Sequence, residues 1–383
     1  MSSIRSSPIK TFPLKFDSLY PRSVIQTKGI IGAVCSGWPH FVTTSVTFPF
    51  LMRPKKICCR QDGHTRDSQE LLIESDLMVP IWKGMRPPLN PEDIVKLAIG
   101  ARKAPDLSFT KWERILSEII VGDSFGVDRI DYLLRDSHHT GVAYGKFDHY
   151  RLIDEIRILP SNEGSTEPAL GIDEDGIYSA EALTLARYFM FSQVYYHPIR
   201  LIYDSHLKDF LVAWLAEGEL FPGGTFPIKV HEHLQITDNE VNAALLLAAY
   251  DPKAAGHDPA RRIVERKHFH VLYERNPQDV LLHSSPGEAI ADAATAKFGA
   301  AAVRYSRPIL KDIAADFPVR TRDGRIAPAI TVSEVLAKLK PTAIDYVFIN
   351  PDILNDAMDW LRKERKNILE SAAEREQEEE EKQ

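Results

Sequence analysis

A mainly α protein with a smaller α+β unit toward its C-terminal end is the fold class this sequence predicts, and three observations carry the prediction. Apolar residues recur with a helical period through much of the stretch 64–275. Near Arg275 the pattern changes to short β-like runs alternating with helices. The chain has 383 residues, 44% hydrophobic and 26% charged, enough for one large or two ordinary domains with cores of their own. Collagen-like, wholly disordered and disulfide-scaffold chains are excluded by the same composition. The pattern divides the chain into a basic, poorly ordered segment 1–63, a helical domain 64–275, an α+β domain 276–362 and a charged helical or disordered tail 363–383.

The clearest helix spans Ser108–Val121, where Trp112, Ile115, Leu116, Ile119 and Ile120 recur at core-facing intervals. Gly122 and Gly126 bracket a loop, and a second helix runs from about Val127 to Ser137. A third, Ser179–Tyr196, ends at His197–Pro198, because proline disfavours helical geometry in the residue before it. Further helices are predicted at Tyr203–Glu217 and Asp238–Ala249, with a loop or short hairpin over Pro160–Gly176. In the C-terminal unit the β-like runs are Phe269–Tyr273, Ala302–Tyr305, Phe317–Arg320, Ile326–Thr331 and Tyr346–Ile349. Helices near Pro286–Phe298, Val332–Leu339 and Pro351–Lys366 separate them, and Pro328 limits its run to a sheet edge.

The net charge of −7 hides an asymmetry: residues 1–60 carry nine basic side chains and one acid, Asp17. A transit peptide, a nucleic-acid-binding arm and a poorly ordered or mistranslated leader without specific role all fit that composition; the missing amphipathic helix counts against the transit peptide, and the leader is preferred. No apolar run has the roughly 18 uncharged residues of a membrane helix. Three cysteines, Cys35, Cys58 and Cys59, make no disulfide framework and no CxxC pair, which favours a reducing, cytoplasmic setting.

Chemistry concentrates in the predicted second helix. Asp128, Tyr132 and Asp136 fall at intervals of four and share one face, with Asp131 and Arg135 alongside and Ile130, Leu133 and Leu134 opposite. Such a face suits a hard cation and an anionic ligand, and it equally suits a solvated surface laced with Asp–Arg pairs.

The run Asp128-Arg-Ile-Asp-Tyr-Leu-Leu-Arg-Asp-Ser-His-His-Thr-Gly, followed by Gly145-Lys-Phe-Asp and Arg151-Leu-Ile, resembles the second signature of the HD-domain phosphohydrolases. Within them it looks like the deoxynucleoside triphosphate triphosphohydrolase branch. The likeness continues through Glu181–His197 and covers roughly residues 64–275. It implies an HD-type helical bundle, commonly oligomeric, acting on nucleotides. It also implies one divalent ion of the Mn, Mg, Fe or Zn class, held by a His, a His-Asp dyad and a distant Asp. Asp128 stands at the distant Asp. Arg129, Tyr132, Asp136, Arg187 and Tyr195 stand where that branch holds the nucleotide, Arg187 at the phosphates and Tyr132, Asp136 and Tyr195 near sugar and base. His64, in Gly63-His64-Thr65, matches a histidine beside the metal and reads as an acid/base or phosphate contact, or as a helix-capping residue. His138 and His139 diverge by about 100° on a helix and read as packing and helix-end residues.

The departure from that family is upstream. His40 is the only histidine before His64, and no Asp follows it. The single His-Asp pair, His257–Asp258, comes after Asp128 and reads as a chance occurrence in a loop. A frameshifted, truncated or wrong start in place of the metal-binding helices explains the basic segment, and it predicts impaired turnover. Three readings follow: a metal-dependent phosphohydrolase of (deoxy)nucleoside phosphates, a nucleotide-binding or oligomer-forming relative without catalysis, and a structural fragment. The expected partners are nucleotide and further copies of the chain, with no membrane and with nucleic acid only weakly supported.

Overall fold

The computed structural model describes residues 73–217, 230–233, 235, 237–308, 316–339 and 344–380. The basic segment 1–63 and His64 lie outside the described residues.

After the helices α1 (Val79–Gly84) and α2 (Pro91–Ile99), α3 runs over Lys111–Val121. Its start is fixed by a capping box: Thr110 Oγ1 accepts from Glu113 N at 3.2 Å, while Glu113 accepts from Thr110 N at 2.6 Å. Ile115 is buried, but Trp112 is 46% exposed, so the apolar face is narrower than its spacing predicts. Helix α4, Val127–Thr140, ends where Gly141 takes up φ +74°, a left-handed conformation that glycine adopts without steric cost. The short α5 (His149–Glu155) leads into the hairpin β1 (Ile156–Pro160) and β2 (Pro168–Asp173).

Helix α6 covers Ile177–Met190 and then widens into a π turn over Phe191–Tyr195, with Tyr196 N donating to Phe191 O at 2.9 Å. The sequence predicts one uninterrupted helix there. Pro198 opens α7 (Pro198–Glu217) instead of merely ending its predecessor, since proline lacks only an N–H that the first helical turn leaves unused. Helices α8 (Asp238–Tyr250) and α9 (His257–Val264) pack with α7 through Phe210, Leu211, Leu245 and Ala260. His257–Asp258 therefore sits in the first turn of a helix and not in a loop; His257 Nδ1 lies 2.8 Å from Ala248 O, and Asp258 accepts from Arg262 Nε at 2.8 Å.

Strand β3 (His270–Glu274) is followed by α10 (Pro286–Phe298), β4 (Val303–Ser306), β5 (Pro318–Arg320), β6 (Ile326–Pro328), the short α11 (Glu334–Lys338), β7 (Tyr346–Ile349) and α12 (Leu354–Glu380). One sheet has the order β3-β7-β4 and packs against α10 and α12. The other has the order β1-β2-β5-β6, with β2 and β5 parallel and Ile172 opposite Val319.

One expectation is corrected by this topology. The segment carrying β5 and β6 belongs to the first core, where Phe317 and Val319 pack with Leu133, Leu183 and Met190, so the division at 275/276 does not separate two independent cores. Helix α12 runs on through the segment predicted as a charged helical or disordered tail, and Leu369 within it is buried in the core of the second sheet. The fold as a whole is mainly α with a smaller α+β part, as predicted.

Candidate functional site

The site is assembled from α4, the loop before it, and α6 with its π turn. Ile130 and Leu133 are buried and anchor α4, which leaves Asp128, Tyr132 and Asp136 half-buried along a neighbouring face. Opposite stands Arg187 of α6, only 8% exposed.

Asp123, in the α3–α4 loop, is the centre of this arrangement. Arg102 approaches its carboxylate with two nitrogens, Nη2 at 3.0 Å from Oδ1 and Nη1 on Oδ2. Arg129 donates from Nη2 to the same carboxylate and from Nε to Gly122 O at 2.8 Å. Arg187 Nη1 donates to the main-chain carbonyl of Asp123 at 3.2 Å, and its guanidinium lies 5.7 Å from the centre of the Phe191 ring. Between these groups is a void of about 10 Å³, lined by Asp123, Arg129, Thr184, Arg187, Phe125 and Phe317. A space of that size holds roughly one water.

Two buried polar atoms at this point lack a hydrogen-bond partner among the described residues, Asp128 Oδ1 and Arg187 Nε. Burial pushes the Asp128 carboxyl above the usual carboxylate range, opposed by Arg129. Burial, and then the charge of Arg129, push Arg187 below the ordinary guanidinium range. Burial likewise raises the Tyr132 phenol against the opposing charges of Arg187 and Arg129.

Tyr132 joins this cluster to a second group. Its ring meets Tyr195 edge-on at 6.0 Å, and Tyr195 OH donates to Asp136 Oδ2 at 2.6 Å. Burial raises both groups; in Tyr195 the bond to Asp136 adds to the effect, and in Asp136 the bond from Tyr195 opposes it. Arg200, in the first turn of α7, donates to Tyr195 O at 2.6 Å and holds the π turn in place.

Asp128, Arg129, Tyr132, Asp136, Arg187 and Tyr195 thus form one continuous patch from two facing elements. Arg129 is turned onto Asp123 and Gly122 within it. His138 and His139 are exposed at the C-terminal end of α4 and take no part. Sequence reasoning missed Asp123, Arg102 and Phe317, whose roles come largely from contacts distant in the chain, and Arg200, which the π turn brings onto Tyr195 O.

A divalent ion used in hydrolysis takes three or four donors. Among the described residues no three His, Cys, Asp or Glu side chains gather to hold one, and Asp128 offers a single carboxylate. The described residues alone do not fit a resident metal.

Residues 147–276 match the family model described as the HD associated region. That stretch contains Arg187 and Tyr195 but not Asp128. The chain is 41% identical over 103 residues to an uncharacterized protein of Methanocaldococcus jannaschii, covering 27% of this chain and 22% of that one. It is 36% identical over 80 residues to the uncharacterized protein YwfO of Bacillus subtilis, covering 21% of this chain and 17% of YwfO. The chain therefore spans about a fifth of the length of these curated relatives. Among solved structures, a hypothetical protein from Aquifex aeolicus superposes with a TM-score of 0.58 at 24% identity, covering 84% of this chain and 82% of that one. A phosphohydrolase from Bacteroides thetaiotaomicron superposes with a TM-score of 0.52 at 20% identity, covering 73% and 70%. These matches show an HD associated region over residues 147–276 and a fold shared with the two solved structures. No helix among the described residues is long and apolar enough to cross a membrane.

Proposed function

We propose that this protein is an HD-phosphohydrolase relative that binds a nucleoside phosphate, of the deoxynucleoside triphosphate class, at the patch between α4 and α6. One observation carries the reading: Arg187 is almost fully buried, lies close to a second guanidinium, and has an Nε–H left unanswered among the described residues. Guanidinium planes match phosphoryl oxygens in geometry and charge. Tyr132, Tyr195 and Asp136 continue the patch with flat rings and a carboxylate, groups suited to a sugar and base. Hydrolysis in this family uses a divalent ion, and Asp128 is the one donor the described residues bring to it. The described donors support nucleotide binding and do not by themselves support metal-dependent turnover, so impaired turnover, like self-association, belongs to the proposal.

The test is a titration of the full chain with a deoxynucleoside triphosphate, followed by release of phosphate or triphosphate with Mn²⁺ added. Arg187→Ala should weaken binding by about tenfold or more, the scale of one charge-assisted hydrogen-bonded pair. Unchanged affinity in that variant would refute the reading. Robust turnover in the wild type, abolished in Asp128→Ala, would show that donors outside the described residues complete a metal site.

A further inference from the structure

The described geometry of Asp123 is unusual for a loop carboxylate. Both of its side-chain oxygens are taken by arginine, Oδ2 by Arg102 and Oδ1 by Arg102 and Arg129, and its carbonyl is taken by Arg187. These contacts come from three directions. Arg102 is 66% exposed at the outer side, the Asp123 side chain is 26% exposed, and Arg129 behind it is 17% exposed. The carboxylate is thus a plug between an outer guanidinium and two inner ones. A bidentate carboxylate and a phosphoryl group use guanidinium in the same way, through paired N–H donors on two anionic oxygens. Arg129 cannot give the same N–H to both at full strength.

We propose that Asp123 is a resident competitor for the phosphate of the ligand: its carboxylate occupies Arg129 and Arg102 in the free protein, and an incoming phosphate displaces it. This rests on the reading that the patch takes phosphates, and it adds the device that sets their affinity. Three guanidiniums and Lys103 face the carboxylates of Asp123, Asp128 and Glu118, so a phosphate that turns Asp123 outward meets a site of net positive charge. Arg187 is held by the Asp123 carbonyl and not by its carboxylate, so it stays in place when the side chain swings away. The ligand class this favours is one with several adjacent phosphoryl oxygens, able to answer Arg187 Nε and Arg129 together.

The proposal reverses the usual expectation for a residue bonded to site arginines. If Asp123 positioned them for binding, neutralising it would weaken phosphate binding; if it competes, neutralising it tightens binding. The experiment is calorimetric titration of the full chain with inorganic triphosphate for wild type, Asp123→Asn, Asp123→Glu and Arg187→Ala, with thermal unfolding of each. Asp123→Asn should bind about tenfold tighter, the scale of removing one partly solvated unit charge next to the ligand. Asp123→Glu, which keeps the charge, should not gain. Equal or weaker binding by a folded Asp123→Asn, or an equal gain in Asp123→Glu, would overturn the proposal. Asp123→Ser is the second neutral variant should the amide fail to fold, and failure of both to fold would make Asp123 structural and overturn it. Wild-type binding lost in Arg187→Ala without any gain in Asp123→Asn removes the competitor alone. Absence of binding in wild type and neutral variants alike removes the phosphate reading with it.

Discussion

His206 lies on α7 behind the π turn that carries Tyr195, and replacing it by glutamine should flatten the acid side of the stability profile. The imidazole is 1% exposed, and its Nε2 accepts from Phe269 N at 3.2 Å, a bond that needs the neutral ring. Burial, then the cationic neighbours Arg262 of α9 and Arg304 of β4, push its pKa down to about 4; Asp258 opposes them, and Asp209 on α7 pairs with Arg304. The unfolded chain protonates the same ring near pH 6.5. Between about 6.5 and 4 the unfolded state therefore binds a proton that the folded state refuses, so stability falls as pH falls through that window and levels off on either side. At about 1.4 kcal/mol per unit, the loss reaches about 3 kcal/mol at the acid end. Glutamine offers an amide oxygen to Phe269 N and does not titrate. Urea unfolding at pH 7.5, 6, 5 and 4.5 should give wild-type and His206→Gln curves that converge, or cross, toward acid. Parallel curves across that range would refute the assigned protonation. The same loss would reach the candidate site, because Phe269 belongs to the aromatic cluster on which Tyr195 and Phe191 pack.

Two further substitutions test the frame of the site. Tyr195→Phe removes the 2.6 Å bond to Asp136 and leaves a half-buried carboxyl without that donor, so it should cost about 1–3 kcal/mol in a thermal or urea transition at pH 7; an unshifted midpoint would show the bond to be unimportant. Gly171→Ala would place a methyl 2.1 Å from Pro318 O, forcing β2 and β5 apart, and should destabilise by about 1–3 kcal/mol. Hydrogen exchange at Val319 should quicken in that variant, and unchanged protection there would contradict the parallel pairing of Ile172 with Val319.

What the sequence made legible is what local chemistry determines. Helix α10 is predicted over the residues it occupies, because Pro286 supplies a first-turn proline and Gly299 ends it at φ +87°. Pro328 does lie on an edge strand. The four-residue spacing on α4 does place Asp128, Tyr132 and Asp136 along one side. Non-local contacts were not legible. Nothing near Phe317 tells which of two sheets its strand joins, and the answer depends on Gly171, more than a hundred residues earlier, leaving room for the Pro318 carbonyl. The π turn at Phe191–Tyr195 has no residue signature, so periodicity puts Arg187 and Tyr195 on one regular helix although the ladder widens between them. Asp123 sits in a glycine-bounded loop that reads as a connector, and its partners come from positions 21, 6 and 64 residues away.

The contrast between two kinds of buried charge in this molecule separates structure from function. Asp345 is fully buried in the second sheet, yet Arg275 reaches one oxygen at 3.3 Å, while Tyr305 at 3.3 Å and Arg307 at 3.5 Å reach the other. Asp279 is similarly answered by Tyr273 at 2.8 Å and by Arg365. These sets tie the ends of β3, β4 and β7 to one another and to α12. At the candidate site the same chain leaves Asp128 Oδ1 and Arg187 Nε unanswered among the described residues, and it sets Arg187 close to Arg129. Stability alone would favour completing these atoms or removing them, since an unanswered buried donor or acceptor costs about 1–3 kcal/mol. Asp131 Oδ2 and Arg135 Nη1 on α4 likewise lack a hydrogen-bond partner among the described residues, and under the proposed function an outside group completes the set at Asp128 and Arg187.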